Sequence, residues 1–421
     1  MGEAGGTWAG TYTYRAATLH RPRSLPELQE IVAAAPRVRV LGSRHSFTDI
    51  ADSAELVSLE SLRTTEALPA DVVVDRDAGT VSFGAGMKYG ELAEVLNDEG
   101  VALANLASLP HISVAGAVAT ATHGSGVGNG NLATAVAAME LVTSDGQLRR
   151  LARGDADFPG AVVNLGALGA VTRLTLDVQP AYDVRQTVFE GLSWQALAWH
   201  FEEIVSAGYS VSVFTTLRDA VDQVWVKSRS HEAAPESLFD ARPATVDRHP
   251  ILGLDPTPCT PQLGRPGPWS DRLPHFRMGF TPSAGEEIQS EYLLPREHAL
   301  AAVDAVRQRA ERIAPLLQVC EIRTIAADDL WMSTAYGRDS VGVHFTWKRE
   351  PAAVEEVLAD LEPALARLGA RPHWGKLFLA PAEQIAPLYE RYGAFVDLVQ
   401  RLDPRGAFRN DWFERHVLGP R

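Results

Sequence analysis

Cysteine is nearly absent: Cys259 and Cys320 are the only two in 421 residues. That count excludes a disulfide framework and a cysteine-based zinc site, and it makes a reducing cytoplasm the expected compartment. Long apolar runs are missing too. None approaches the ~20 residues of a membrane span, so no membrane partner is expected. The opening Met1-Gly2-Glu3-Ala4-Gly5-Gly6 lacks the basic-then-apolar order of a signal peptide. Positive charge is in deficit. The balance of 39 basic and 53 acidic residues leaves −14, which argues against a nucleic-acid surface. There is no internal repeat and no low-complexity tract. What remains is ordinary for a globular enzyme, with 46% hydrophobic and 22% charged residues. The length exceeds one typical core and predicts two domains.

Local signals predict many elements. Ser24-Leu25-Pro26-Glu27 reads as a capping box with proline in the first turn, starting a helix that runs to about Ala34. Val72–Val74 and Thr80–Phe83 flank Asp77-Ala78-Gly79 and predict a hairpin. Tyr89–Asp98 is an amphipathic helix stopped at Gly100. Ala115–Ala121 has almost no side-chain bulk, so a helix there admits another backbone or a flat ligand at close range. Ala137–Val142 pairs with Leu148–Leu151 across Ser144-Asp145-Gly146, and Val171–Leu176 alternates as a strand. Beyond Pro180 aromatics thicken, with Trp194, Trp199, Phe201, Phe214 and Trp225. Residues 231–275, dense in Pro and His, are expected to form a long surface excursion. Strands follow at Gln289–Leu294 and Val341–Trp347, with helices over 296–312 and 351–367. The fold class is α+β, with a first domain over 1–180 and a mixed second domain over 181–384.

The alternating run Arg37–Leu41 ends in Gly42-Ser43-Arg44-His45-Ser46-Phe47. A turn of small residues leaves backbone N–H groups pointing outward, and such a concave donor set binds anions. A pyrophosphate fits that description, with His45 beside whatever the phosphate carries. A strand-ending turn with a solvent-facing histidine fits the same residues. Gly84-Ala85-Gly86-Met87-Lys88-Tyr89-Gly90 imitates a dinucleotide fingerprint. Its third glycine is one residue late, and no parallel second strand is evident, so a Rossmann site is rejected.

Further segments give the His45 turn a context. They are Ala107-Ser108-Leu109-Pro110-His111-Ile112-Ser113-Val114-Ala115-Gly116, Thr122-His123-Gly124-Ser125-Gly126-Val127-Gly128-Asn129-Gly130 and His373-Trp374-Gly375-Lys376. With them the chain resembles, from Trp8 to near its C-terminus, the alditol oxidases. These are vanillyl-alcohol-oxidase-type FAD proteins with sugar-lactone oxidases as cousins. The resemblance implies a two-domain PCMH-type FAD-binding fold with a mixed α+β substrate-binding domain. The tail of about 385–421, with Asp403–Asn410, would return to the FAD domain. It implies FAD bonded covalently to His45, which requires a neutral imidazole, the majority form of an unperturbed histidine at pH 7. It implies cofactor contacts from Leu41, Gly42, Ser43, Arg44, His45, Ser46, Phe47, Ser108, Ser113, Gly116, Thr120, Ala121, Thr122, His123, Val171 and His373. Ser113 is also read as the N-cap of the helix that follows it. Arg44 and Ala121 stand where the family has glycine. Ala107, just before the flavin-facing serine, would border the approach of dioxygen.

Glu321-Ile322-Arg323 sets opposite charges at i and i+2, one face of a strand, and His344-Phe345-Thr346 does the same for an imidazole and a hydroxyl. By themselves these residues fit half-buried strands with a surface ion pair. The resemblance instead makes Ser108, Glu321, Arg323, Thr346 and Lys376 a polyol-binding set, and hydroxyls that both donate and accept suit that mixture. His373 and Lys376 are three apart, so a regular strand would oppose them. Either the chain turns at Gly375 or the two serve different partners, and the resemblance gives His373 to flavin and Lys376 to substrate. The implied reaction oxidises the terminal –CH2OH of xylitol or sorbitol to an aldose, with hydride passing to flavin N5 and dioxygen becoming hydrogen peroxide. Lys376 and Arg323 would stabilise alkoxide charge, and His344 or Lys376 would take the proton. No metal is required, and a monomer is expected. The alternatives are a sugar-1,4-lactone oxidase or dehydrogenase, an NADPH-dependent flavin reductase of the same fold, and a non-catalytic flavoprotein scaffold.

Overall fold

The computed structural model describes residues 4–62, 72–280 and 286–419, so Met1–Glu3 of the N-terminal segment lie outside the described residues. Strands β1 (Thr18–His20), β2 (Val38–Val40) and β3 (Glu55–Val57) form a small parallel sheet in the order β1-β3-β2. Helix α1 (Leu25–Ala34) buries Leu28 and Val32 in one core with Val38 and Val57. Its N-cap is Ser24, as the sequence predicts. The Glu27 carboxylate, however, accepts from Arg23 N at 2.8 Å, so the box closes one residue upstream.

Next comes a five-stranded antiparallel sheet in the order β4-β5-β9-β7-β8. Its strands are β4 (Val73–Asp75), β5 (Thr80–Gly84), β7 (Val136–Val142), β8 (Leu148–Ala152) and β9 (Ala170–Asp177), with β6 (Val101–Ala102) pairing outside it with β10 (Gln179–Pro180). Helix α2 spans Tyr89–Asp98, the predicted residues, and Gly100 turns the chain at φ 68°. Strand β5 is antiparallel to both neighbours, which removes any Rossmann reading of Gly84–Gly90. The slim helix α3 is Val114–Ala119.

The remaining strands build one nine-stranded sheet. They are β11 (Asp183–Leu192), β12 (Ser210–Thr215), β13 (Val221–Arg229), β14 (Arg242–Pro243), β15 (Gly267–Pro268), β16 (Glu287–Pro295), β17 (Leu317–Ile325), β18 (Ser340–Lys348) and β19 (Arg371–Pro372). The order is β14-β11-β13-β12-β17-β18-β16-β19, with β15 on β11. The helices Ala299–Arg307 and Pro351–Ala366 pack Val303, Val306, Leu358 and Leu361 into the main hydrophobic core beside β16 and β18. Two expectations change. The helix expected over 296–312 is broken into Arg296–His298, Ala299–Arg307 and Ala310–Ile313. Gln308 and Arg309 offer no apolar side chain to hold a continuous buried face. The stretch 231–275 is not a surface excursion throughout. Leu238, Cys259, Trp269, Leu273 and His275 are buried in it, and His275 N donates to Ser108 O at 3.1 Å. Its proline and histidine density reports turns, whereas those side chains fix it over the sheet.

Candidate active site

Strand register assembles the polar wall. His344 on β18 lies opposite Glu321 on β17 and Glu291 on β16, and Thr346 lies opposite Gln289. Directly opposed residues share a sheet face, so one row carries Glu321, His344 and Glu291. Arg323 joins that face by the predicted two-residue spacing. Its guanidinium donates to Glu291 Oε1 at 2.7 Å, lies 3.6 Å from Glu321 Oε2, and reaches Ser108 Oγ at 3.4 Å.

Glu291 is the hub. Its side chain is 0% exposed and also takes Lys376 Nζ at 2.5 Å, with His123 Nε2 at 3.2 Å. Burial opposes ionisation, yet Arg323, Lys376 and His123 hold its carboxyl well below the usual range. Glu321 behaves alike: burial is outweighed by Arg323 and by His275, whose Nε2 lies 2.9 Å from Oε1. His344 Nδ1 is 3.5 Å from Glu321 Oε2, and burial pushes its ring down to about 4, with the Lys376 charge adding to the effect. Burial lowers Lys376 as well, with Glu291 opposing. Ligand-type atoms of His123, Glu291 and His373 lie within 4.8 Å of one another. A metal ion there would meet Arg323 and Lys376 on the same carboxylate, so the cluster suits an ion-pair network better than a cation.

His373 and Lys376 do not occupy opposite faces. Lys376 N donates to His373 O at 3.1 Å, so the chain turns as soon as β19 ends. Both residues then meet Glu291, His373 through its backbone N–H to Glu291 O at 2.9 Å.

This wall faces the His45 turn across a cavity of about 270 Å³. Leu41–Phe47, Ala107, Ser108, Ser113, Gly116, Thr120, Thr122, His123, Glu321, Arg323, His344, Thr346, His373 and Lys376 line it. Two expected cofactor contacts are not on its lining. Val171 lines an adjoining recess with Leu41, Gly42, Ser43, Ser113 and Gly116. Ala121 is fully buried beneath the surface at φ 53°. Arg44 sits at φ 64°, so both departures from the family's glycine fall where an L side chain is strained. Ser113 precedes α3 as predicted, but its side chain does not cap the helix. Its Oγ faces Ser43 N at 3.4 Å, and its own N–H donates to Ser43 Oγ at 2.8 Å. A Cβ on Gly42 or Gly116 would stand 2.5 or 2.7 Å from that same oxygen, so a side chain at either would turn Ser113 Oγ out of the cradle.

His45 is enclosed. Trp8 stacks on it at 5.2 Å between centroids, and among the described residues its buried Nδ1 has no hydrogen-bond partner. Burial pushes the imidazole down to about 4, with the His111 charge adding to it, so the ring is neutral at pH 7. A neutral, unpartnered ring nitrogen beside a slot of small residues fits a covalently held flavin. Sequence reasoning missed Glu291, Gln289 and His275. The two-residue rule applied to Glu321 and Arg323 also reaches Gln289 and Glu291, on a strand the sequence does predict. Nothing local marks His275.

Two family models match: an FAD binding domain over residues 16–152 and D-arabinono-1,4-lactone oxidase over residues 284–416. Alditol oxidase of a Streptomyces species is 50% identical over 420 residues, covering 99% of this chain and 100% of that protein. This chain belongs to the alditol oxidase family. FAD is accordingly its cofactor. Within the wider group, L-gulono-1,4-lactone dehydrogenase of Mycobacterium tuberculosis is 30% identical over 98% of both chains. Mouse L-gulonolactone oxidase is 25% identical over 97% of both. Cholesterol oxidase from B. sterolicum superposes with a TM-score of 0.77 at 15% identity, over 99% of this chain and 97% of that one. That likeness shows the fold, a PCMH-type FAD-binding fold. Among the described residues no helix is long and apolar enough to cross a membrane.

Proposed function

We propose that this enzyme oxidises the terminal primary hydroxyl of alditols such as xylitol and sorbitol to aldoses, with dioxygen reduced to hydrogen peroxide. One observation carries the reading: Ser108, Glu321, Arg323, Thr346 and Lys376 converge on the cavity that His45 also lines. When bound, FAD would supply the hydride-accepting chemistry, with dioxygen as the final acceptor of the electron pair. Leu41–Phe47, Ser108, Ser113, Gly116, Thr120, Thr122, His123 and His373 would hold it, with His45 as the covalent anchor. Val171 would touch it from the adjoining recess, and Ala121 would act through the backbone.

The chain's own groups handle charge and protons. Glu321, Thr346 and Ser108 offer acceptors and hydroxyls to the polyol. Arg323 and Lys376, fixed by Glu291, stabilise negative charge on the substrate oxygen without reorganising. Glu291 holds the Lys376 proton in place, so Lys376 is the weaker choice as base. His344 has two buried ring nitrogens with no hydrogen-bond partner among the described residues, and Glu321 nearby partly offsets the burial that holds its ring down at about 4. His344 is therefore the preferred proton acceptor. Ala107, 7% exposed on the cavity lining, would border the oxygen path. The buried free thiols of Cys259 and Cys320 suit a cytoplasmic enzyme.

The match to a D-arabinono-1,4-lactone oxidase model favours a sugar-lactone substrate as second reading. The lower identity of the lactone enzymes ranks it below. Oxygen consumption with xylitol, sorbitol and gulonolactone separates the two. Alditols should turn over fastest, and turnover of the lactone alone would reverse the order.

A further inference from the structure

Lys227 on β13 belongs to none of the groups above, and β12 separates its strand from β17. It is 1% exposed. Its Nζ meets three acceptors: the Leu273 carbonyl, the Pro274 carbonyl at 3.1 Å and His275 Nδ1 at 3.1 Å. An ammonium has three N–H donors and no lone pair. As the ammonium, donors and acceptors match one to one and Nδ1 accepts, the arrangement that the ionised Glu321 on the other side of the ring also demands. The proton of the neutral ring then sits on Nε2, which faces Glu321 Oε1 at 2.9 Å. The other tautomer would aim a lone pair at the carboxylate. Ring rotation is hindered, because Phe214 and Trp225 meet His275 edge-on with centroids at 5.4 and 5.3 Å. Burial, with Arg323 on β17 adding to it, pushes the Lys227 ammonium down to about 7, while Glu321 on β17 and Cys259 on the covering segment oppose the shift. With Oε1 tied to His275, Glu321 Oε2 is left to Arg323, His344 and the cavity.

We infer that Lys227 is a positioning residue, which fixes the Nε2–H tautomer of His275 and thereby the orientation of the Glu321 carboxylate toward the bound polyol. The inference rests on the reading of Glu321 as a substrate ligand. It goes further in tracing that ligand's orientation to a lysine far from it in sequence.

Lys227→Met keeps the length and removes the donors. With xylitol, kcat/KM should fall roughly 10–100-fold, the usual cost of losing a group that orients a ligand. The loss should lie mainly in KM, with the flavin absorbance unchanged. The double variant Lys227→Met/Glu321→Gln should be no worse than Glu321→Gln alone, because both changes act on one carboxylate. Additive losses would overturn the inference. A neutron structure of the deuterated wild-type holoenzyme needs no variant to fold. It should show deuterium on His275 Nε2, none on Nδ1, and three deuterons on Lys227. Deuterium on Nδ1 would overturn the inference too. That readout is independent of the substrate, so failure of the alditol reading and failure of the tautomer are told apart.

Discussion

Glu291→Gln removes one charge and almost no volume. The wild-type carboxylate is fully buried and accepts from Arg323 at 2.7 Å and Lys376 at 2.5 Å. A carboxamide can satisfy one of them through its oxygen and must turn N–H groups toward the other. Two buried cations then share a single remaining anion, Glu321, 3.6 Å from Arg323 Nε. Removing one partner of a buried pair costs about 3–5 kcal/mol. An exposed pair is worth about 0–1 kcal/mol. Arg401–Asp157, with side chains 56% and 31% exposed, supplies that control. Chemical denaturation of Glu291→Gln and Asp157→Asn at pH 7 should therefore give losses of about 3–5 and under about 1 kcal/mol. The pH dependence has a definite sign. The folded state holds the Glu291 carboxyl well below its unfolded value, burial notwithstanding. Its stabilisation is complete above the unfolded carboxylate pKa and is lost as pH falls through the folded one. The wild type should thus lose stability in acid faster than Glu291→Gln, and the two should converge. If Glu291→Gln unfolds within about 1 kcal/mol of the wild type at pH 7, the reasoning about this hub is refuted.

His45→Ala should yield protein whose flavin is released on acid precipitation; flavin remaining on the pellet would move the attachment elsewhere. Lys376→Met and Arg323→Ala should each lower kcat by ~10²–10³ with little change in the flavin spectrum, the usual cost of one lost donor to a developing oxyanion. A change confined to KM would mark that residue as a ground-state binder. Ala121→Gly should raise stability by up to about 1 kcal/mol, because φ 53° strains an L residue by about 1–2 kcal/mol and glycine returns part of that as backbone entropy. Destabilisation in urea would show that packing of the buried methyl outweighs the strain.

Much of the local structure was legible in the residues. The bounds of α2, the hairpin of β4 and β5, and strands β7, β9, β16 and β18 follow from apolar period and turn chemistry, which act within a few residues. The segment 231–275 was misread because composition reports turns and cannot say which apolar side chains find a core. The helix over 296–312 was overextended because its apolar period lapses at Gln308 and Arg309.

The sequence by itself determined the faces. Residues two apart on a strand must point the same way, so Glu321 goes with Arg323 and His344 with Thr346 wherever the strands lie. It also determined the glycine-lined turn around His45. Only the tertiary structure decided who meets whom. The order β17-β18-β16 brings Glu291 against Arg323, the turn after β19 swings Lys376 onto the same carboxylate, and the folded-back loop sets His275 between Lys227 and Glu321. The reason is physical. Side-chain direction is a property of local backbone geometry, whereas strand neighbours are chosen by burial of the whole chain, and a charge is held in a dry interior only by partners that this choice delivers.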